Sequence, residues 1–555
     1  MIKLNPRKIL YLMVGVVAIS LVYNLVGVRW GLPALWYPDE PETIEQIVIP
    51  MARNFDPNPH IFHKGSLYYY FLLLVLAPFF ALIKLFHLST ENYERLVAQV
   101  TLIARIATAC TGAFGVLVMV RIGKRLRGSQ AGILAAFLLA VNMLYAGYSH
   151  FAYMEVPMLV LLMLSLYWAL RYADTGTVRD LRLSAFFGGL AASAKYNAVV
   201  PVLVFILILH ISRAGRESGF RAKWRRLLSK EFFVSLGLMG LGFFLGTPFA
   251  VLDFRTFIAY LIKQSFVSRE GYKVFTSSYA WGACLELLVK GLGAPMAIAA
   301  FCAFAAAFIQ WFKNRSVKAA CILFPPLLYY IYIGSWRLAA IRYLLPMIPF
   351  ILLSFLLVDV RSIRKSIRTP VLSAFVGVCL FTAVQTFLGV RQFTSDTRVS
   401  AEKWIAENIP SGGKVEMYAY KTYLPKFPDR IAAYRMIPNF VVESAGYESF
   451  KQSGFAGKYL KDASPSSGHS DNRDAFTLTA LQKRNPDYIL LSSFYDDRYI
   501  PSKTNKTQEM YPELARYYQA LVSGRAGYDT AAVFRKDCMQ EYYLNPTITV
   551  LKRLR

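Results

Sequence analysis

The chain has 555 residues, 55% of them hydrophobic and 15% aromatic, with a mean hydropathy of +0.38 and a formal charge of +28. That composition excludes an ordinary soluble globular protein and fits a polytopic membrane protein. Residues 1–389 carry a net +22 and residues 390–555 only +6. The basic excess therefore fits cytoplasmic loops between membrane helices and argues against nucleic-acid binding.

Lys3, Arg7 and Lys8 precede the first apolar run, residues 9–28. No small-x-small cleavage site follows, so it reads as an uncleaved anchor with its amino end in the cytoplasm. The chain then emerges into Tyr37-Pro38-Asp39-Glu40-Pro41-Glu42, three carboxylates in four positions, where prolines disfavour a continued helix. The next apolar run is 66–86. The run after it, about 97–120, ends in Arg121, Lys124, Arg125 and Arg127, which belong inside. If 66–86 spanned, those charges would face out. Residues 66–86 are therefore expected to form a helix in the outer interface, or re-entrant, with Tyr68-Tyr69-Tyr70 at headgroup level; a spanning helix is the alternative.

From there the parity of basic loops holds. Residues 129–149 run outward, His150–Glu155 is an outer turn, and 156–171 run inward. Residues 183–211 are too long for one ordinary span and too short for two. Gly188-Gly189 and Pro201 suggest a broken pair with Lys195-Tyr196-Asn197 at its outer turn. The loop 212–231, with Arg213, Arg216, Arg221, Lys223, Arg225, Arg226 and Lys230, belongs inside. Residues 232–250 run outward, 251–285 read as a polar outer loop, and further spans follow at 287–312, 319–335, 343–359 and 370–389. The expectation is about eleven spans in a domain over 1–389, with a first outer loop at 29–96 holding interfacial helices.

Residues 390–555 contain no run long enough to span and read as one extracytoplasmic soluble α/β domain. Ala401–Asn408 is expected as a helix, Lys414–Tyr420 and Tyr488–Ser492 as strands, and Ser464–Asp474 as a loop. The six cysteines show no disulfide or zinc spacing.

Three polar constellations fall on the outer face by this topology: Asp39-Glu40; Glu155 at the lip of a helix; and the cations His63-Lys64, Lys195, Arg337 and Arg342. An acidic pair alone is a common loop feature, Glu155 alone suits a helix N-terminus, and outer cations also snorkel to lipid phosphate. Together they suit one reaction class. A sugar linked to a lipid phosphate has its leaving group at the headgroup plane, where cations stabilise the departing charge. A carboxylate there takes the proton of the attacking hydroxyl, and Asp39 is the expected base.

The same residues carry a resemblance. The chain resembles the GT-C superfamily of membrane glycosyltransferases, close to its dolichyl-phosphate-mannose mannosyltransferase and lipid A aminoarabinose transferase branch. Those families place an acidic motif after the first span, as Asp39-Glu40 stands here. A stretch similar to Asn58-Pro59-His60-Ile61-Phe62-His63-Lys64-Gly65-Ser66-Leu67-Tyr68 opens their interfacial helices. Glu155, Gly188-Gly189 through Lys195-Tyr196, and Arg342-Tyr343-Leu344-Leu345-Pro346 match three further motifs. His63-Lys64-Gly65-Ser66 departs from the Lys-Pro-Pro of the aminoarabinose transferases, and Glu155 stands where Asp is common. The resemblance implies an inverting transfer from a polyprenyl-phosphate-linked sugar to a lipid, glycan or protein acceptor. It implies Asp39, Glu40 and Glu155 as catalytic groups, Lys64, Lys195 and Arg342 on the donor phosphate, and His63, Tyr196 and Tyr343 lining the substrate. No metal is assigned, and a divalent ion near Glu40 and Glu155 is the alternative that some members suggest. The implied location is a plasma (inner) membrane. A transporter or flippase of lipid-linked sugars is the competing class: Lys195 on a broken helix pair fits it, whereas the absence of a sequence repeat does not.

Overall fold

The computed structural model describes residues 5–86, 92–212, 227–270, 279–362, 364–438, 449–450, 453–460, 472–500, 508–509, 511–538 and 543–554. The chain divides into two compact units. The first comprises Met1–Val28, Glu42–Leu261 and Tyr279–Val390. The second comprises Arg29–Pro41, a segment starting at Ile262, and Arg391–Arg555. The acidic stretch is thus cut between Pro41 and Glu42: Asp39 and Glu40 cluster with the carboxyl-terminal residues.

The first unit is a helical membrane bundle. Seven described helices are long and apolar enough to cross a membrane: Pro6–Leu25, Leu67–Leu85, Tyr93–Arg127, Glu155–Thr175, Ala294–Asn314, Val317–Gly334 and the helix from Lys365. Three shorter apolar helices, Ser129–Ala140, Tyr196–Ser212 and Ile341–Leu357, accompany them. Leu67–Leu85 is among the seven, so length and composition suit the spanning alternative as well as the interface. Its buried residues Tyr68, Leu72 and Leu76 share one face, and the Tyr68 hydroxyl lies 2.8 Å from that of Thr108.

Glycine sets the closest helix contacts. A Cβ on Gly189 would lie 2.0 Å from the Met239 carbonyl, and one on Gly242 2.3 Å from that of Phe186. Helices Val178–Ala194 and Lys230–Gly246 therefore approach backbone to backbone. The expected break is present. Val178–Ala194 ends at Lys195 in extended conformation, a 3-10 turn spans Tyr196–Ala198, and Val199–Ser212 continues with Pro201 in its first turn. The stretch expected as a polar outer loop, 251–285, is instead mostly helical where described: Phe254–Glu270 is one helix and Trp281–Leu292 another. Aromatic and aliphatic residues interleaved with Arg255, Lys263 and Arg269 make it amphipathic, which a search for uncharged runs passes over. Most of the basic loop at 212–231 and of the loop at 464–474 lies outside the described residues.

The second unit carries a five-stranded sheet of order β2-β1-β3-β5-β4, with β1 Lys414–Met417, β2 Ala432–Arg435, β3 Tyr488–Ser492, β4 Tyr528–Phe534 and β5 Ile548–Arg553. Strands β1, β2 and β3 run parallel, and β5 pairs antiparallel with both β3 and β4. Every residue of central β3 is buried, as the continuous apolar run Tyr-Ile-Leu-Leu requires of a strand covered on both faces. The helix expected from Ala401 begins one turn earlier, at Thr397, capped by Asp396. Ala401, Ile405, Val415, Ile489, Leu490, Tyr518 and Val550 belong to one core.

Candidate active site

In the first unit, Glu42 opens a π-helical segment, Glu42–Val48, a geometry frequent at functional positions. Its carboxylate takes both side chains of the His63-Lys64 pair, Oε1 accepting from Lys64 Nζ at 2.8 Å and Oε2 lying 2.8 Å from His63 Nε2. Burial pushes this carboxyl upward, but Lys64 and His63 outweigh it and hold Glu42 well below the usual carboxylate range. The Lys64 ammonium also stands 4.7 Å above the Tyr153 ring.

Backbone contacts fix where this pair sits. A Cβ on Gly65 would fall 1.9 Å from the Ser193 carbonyl oxygen, so only glycine lets the chain lie against the end of helix Val178–Ala194. The Tyr196 hydroxyl contacts the carbonyl oxygens of Phe62 and Lys64, at 2.8 and 3.0 Å. Tyr196, expected to line the substrate, thus braces the His63-Lys64 backbone.

Glu155 and Lys195 form a buried ion pair. Glu155 is the first residue of helix Glu155–Thr175 and Lys195 caps the end of Val178–Ala194. Each charge therefore complements the helix terminus it occupies, negative at an N-terminus and positive at a C-terminus. Lys195 lies 4.9 Å from the Tyr343 ring centre and Arg342 5.5 Å from the same ring. Lys195 is also within electrostatic range of Arg342 and Lys64. Tyr343 is held through its carbonyl, which accepts from Tyr329 at 2.9 Å, and Asn197 Nδ2 donates to Tyr329. Three cations and two carboxylates thus share one cluster at helix ends. Three buried polar atoms in or beside it have no hydrogen-bond partner among the described residues, His63 Nδ1, Glu155 Oε2 and Asn197 Oδ1. Arg337 is exposed.

In the second unit, Glu40 is buried and Asp39 half-buried. A turn closed by the Glu40 amide on the Tyr37 carbonyl, at 3.1 Å, presents them. The Asp39 charge reaches Tyr423, helping to raise a phenol that burial already pushes up.

The structure thus gathers Lys64, Lys195, Arg342, Glu155, His63, Tyr196 and Tyr343 in the first unit, while Asp39 and Glu40 belong to the second. Glu42 is the residue that sequence reading passed over as a site residue. It stands in the acidic stretch, but nothing in the sequence marks it as the partner of Lys64, 22 residues on. Among the described residues no three of His, Cys, Asp and Glu converge to hold a metal ion. Glu42 faces Lys64 and His63, and Glu155 faces Lys195.

Residues 94–234 match the dolichyl-phosphate-mannose-protein mannosyltransferase family. The structure resembles that of ArnT from Cupriavidus metallidurans bound to undecaprenyl phosphate, over 97% of each chain, with a TM-score of 0.52 and 15% identity. It also resembles the Archaeoglobus fulgidus oligosaccharyltransferase tethered to an acceptor peptide, over 93% of this chain and 72% of that one, with a TM-score of 0.50 and 12% identity. No curated protein sequence matches. The chain is therefore a polytopic membrane protein with the GT-C fold, similar over residues 94–234 to the dolichyl-phosphate-mannose-protein mannosyltransferase family.

Proposed function

We propose that the protein is a glycosyltransferase (EC 2.4 class) that moves a sugar from a polyprenyl-phosphate-linked donor to an acceptor hydroxyl on the outer face of a plasma or inner membrane. The observation that carries this reading is the cluster of Lys64, Lys195 and Arg342 with Glu42 and Glu155, set at the ends of apolar helices. Such a cluster suits an anionic headgroup whose tail lies among those helices. The undecaprenyl phosphate of the ArnT structure supports a lipid-phosphate donor, and the acceptor peptide of the archaeal oligosaccharyltransferase supports a separate acceptor.

In the proposed reaction Asp39 takes the proton of the acceptor hydroxyl, and the oxygen attacks the anomeric carbon. The bond from that carbon to the phosphate oxygen breaks, and the polyprenyl phosphate leaves with the electron pair. A single displacement inverts the anomeric centre. Lys64, Lys195 and Arg342 stabilise the phosphate, Glu40 orients the acceptor, and Glu155 holds the Lys195 ammonium in place. The proposed domains are a catalytic membrane part at 1–389 and an extracytoplasmic part at 390–555, with a cytoplasmic N-terminus.

The test is turnover of the purified full chain with a panel of polyprenyl-phosphate sugars and a total lipid extract. Asp39→Asn keeps the shape and removes the basicity, so turnover is expected to fall by about 10²–10⁴-fold with donor binding intact. A correctly folded Asp39→Asn protein that transfers at the wild-type rate would overturn the base. The break at Lys195 favours a second reading, movement of the lipid-linked sugar across the bilayer. Translocation in sealed vesicles without transfer would establish that one.

A further inference from the structure

Arg398 is fully buried in the second unit, and each of its side-chain nitrogens donates a hydrogen bond. Nε and Nη2 hold Asp396 bidentately, both at 2.9 Å, while Nη1 and Nη2 reach the carbonyls of Thr422 and Tyr543, both at 2.7 Å. Asp396 is equally occupied. Oδ1 also accepts the Arg398 amide, and Oδ2 accepts the Asn545 amide at 3.1 Å and the indole Nε1 of Trp30 at 3.0 Å. The guanidinium lies 4.2 Å from the Trp36 ring centre and 5.3 Å from that of Trp30. Two of its neighbours therefore come from Arg29–Pro41, the segment that carries Asp39.

The rest of that segment is shaped to reach the clamp. Gly31 has φ +67°, and any Cβ there would lie 2.7 Å from Cβ of Trp36, so the chain doubles back tightly between the two tryptophans. Trp30 and Trp36 meet edge to face at 5.8 Å, and Tyr37 meets Tyr543 in the same manner at 5.9 Å. Tyr37 then supplies the carbonyl of the turn that presents Asp39 and Glu40. Only Tyr37 and Pro38 separate Asp39 from the ring lying on the guanidinium.

We infer that the Arg398–Asp396 pair, gripping Trp30 and Trp36, positions the Asp39 segment, so that the extracytoplasmic domain holds the base of the transfer reaction. This rests on Asp39 being that base. Arg398, Trp30 and Trp36 are positioning residues: they act through Asp39. A carboxylate misplaced by about an ångström loses on the order of 10²-fold in rate, so the grip matters to turnover far more than to donor binding.

The test works from the loop side, leaving the ion pair inside the domain intact. Trp36→Leu removes the ring on the guanidinium, and Trp30→Phe keeps a ring but deletes the donor to Asp396. In the full-length protein, hydrogen exchange of the 29–41 amides is expected to quicken in both variants, with helix 397–408 unchanged. With the panel donor that the wild type turns over and total lipid extract as acceptor, kcat is expected to fall about ten- to a hundredfold at unchanged donor KM. On an Asp39→Asn background the same substitutions are expected to cost nothing further, because the group they position is gone.

Unchanged exchange in 29–41 overturns the clamp whatever the activity. Quickened exchange with undiminished turnover, while Asp39→Asn is crippled, overturns the positioning role and leaves the base in place. An equal fall on both backgrounds also overturns it, since the tryptophans would then act by another route. Wild-type turnover in Asp39→Asn overturns both readings together.

Discussion

Arg398 with Asp396, and Lys195 with Glu155, are both buried ion pairs, but only the first is saturated. In the second unit each guanidinium nitrogen donates and each carboxylate oxygen accepts at least two bonds. In the first unit Lys195 bonds one oxygen of Glu155, and the other, Oε2, is buried without a partner among the described residues. Desolvating two charges is recovered only when their remaining hydrogen-bonding capacity is filled. A filled pair behaves as a structural rivet. A pair with an acceptor oxygen left over suits a site where a further donor arrives, such as a hydroxyl of a bound sugar.

Removing one partner from each pair breaks the comparison at its widest. Arg398→Met leaves Asp396 buried and uncompensated, at an expected cost of about 3–5 kcal/mol. Limited proteolysis should then cut within 391–555 at denaturant concentrations the wild type resists. Arg398→Lys restores the charge without the planar fork and is expected to recover only part. Full resistance in the methionine variant would mean that the pair contributes nothing to the domain.

Lys195→Met is expected to act on binding. Glu155 keeps the support of its helix N-terminus but loses its cation, which costs stability as in the other pair, so affinity is measured on protein shown to be inserted and folded. Donor affinity should fall by about tenfold to a hundredfold, corresponding to about 1.5–3 kcal/mol for a charge-assisted contact. Arg342→Met should match it. Unchanged affinity in both would leave these cations as partners of acids and rings alone.

A steric change sharpens the picture of the first unit without touching a charge. Gly65→Ala drives a methyl group into the Ser193 carbonyl, and overpacking of this kind costs about 1–3 kcal/mol. The chain is expected to yield at 63–65, so donor KM should rise while Asp39-dependent kcat changes little. A wild-type KM would show that Lys64 does not depend on this close approach.

The contrast between the pairs also marks what the sequence could tell. Helices declare themselves through runs of some 20 apolar residues, and β3 through Tyr-Ile-Leu-Leu. The break at Lys195 was readable because Gly188-Gly189 and Pro201 bracket it, although the glycines prove to serve helix contact. The partners of charges were not readable. Glu42 and Lys64 meet because Glu42–Val48 and the 58–66 loop fold against one another, which no periodicity encodes. Arg398 looks like any arginine on an amphipathic helix. The available signal was Asp396-Thr397, an N-cap sequence placed just before it, which would have started that helix at Thr397 instead of Ala401.

The smallest expected effect separates two aspartates of one domain. Asp396 is pushed up by burial but held below its ordinary value by Arg398, which outweighs it. Asp496 has no such partner. Burial raises it to about 7, opposed by the Ser492 amide, Tyr518 and Arg498 and reinforced by Asp497. The signs are opposite. Asp396 contributes stability above the unfolded value near 3.8, lost as pH falls through its folded value. Asp496 binds a proton in the folded state that the unfolded chain has released, so stability falls as pH rises from about 4 to about 7 and then levels. Glu402 and Asp497 are also raised by burial and add slopes of the same sign, so the wild-type profile alone does not isolate Asp496. The difference between wild type and Asp496→Asn does. The asparagine variant should gain on the order of 1 kcal/mol relative to wild type between pH 5 and pH 7.5, read from denaturation midpoints. A constant difference between the two proteins across that window would mean that Asp496 ionises at its ordinary value, with water reaching its carboxylate.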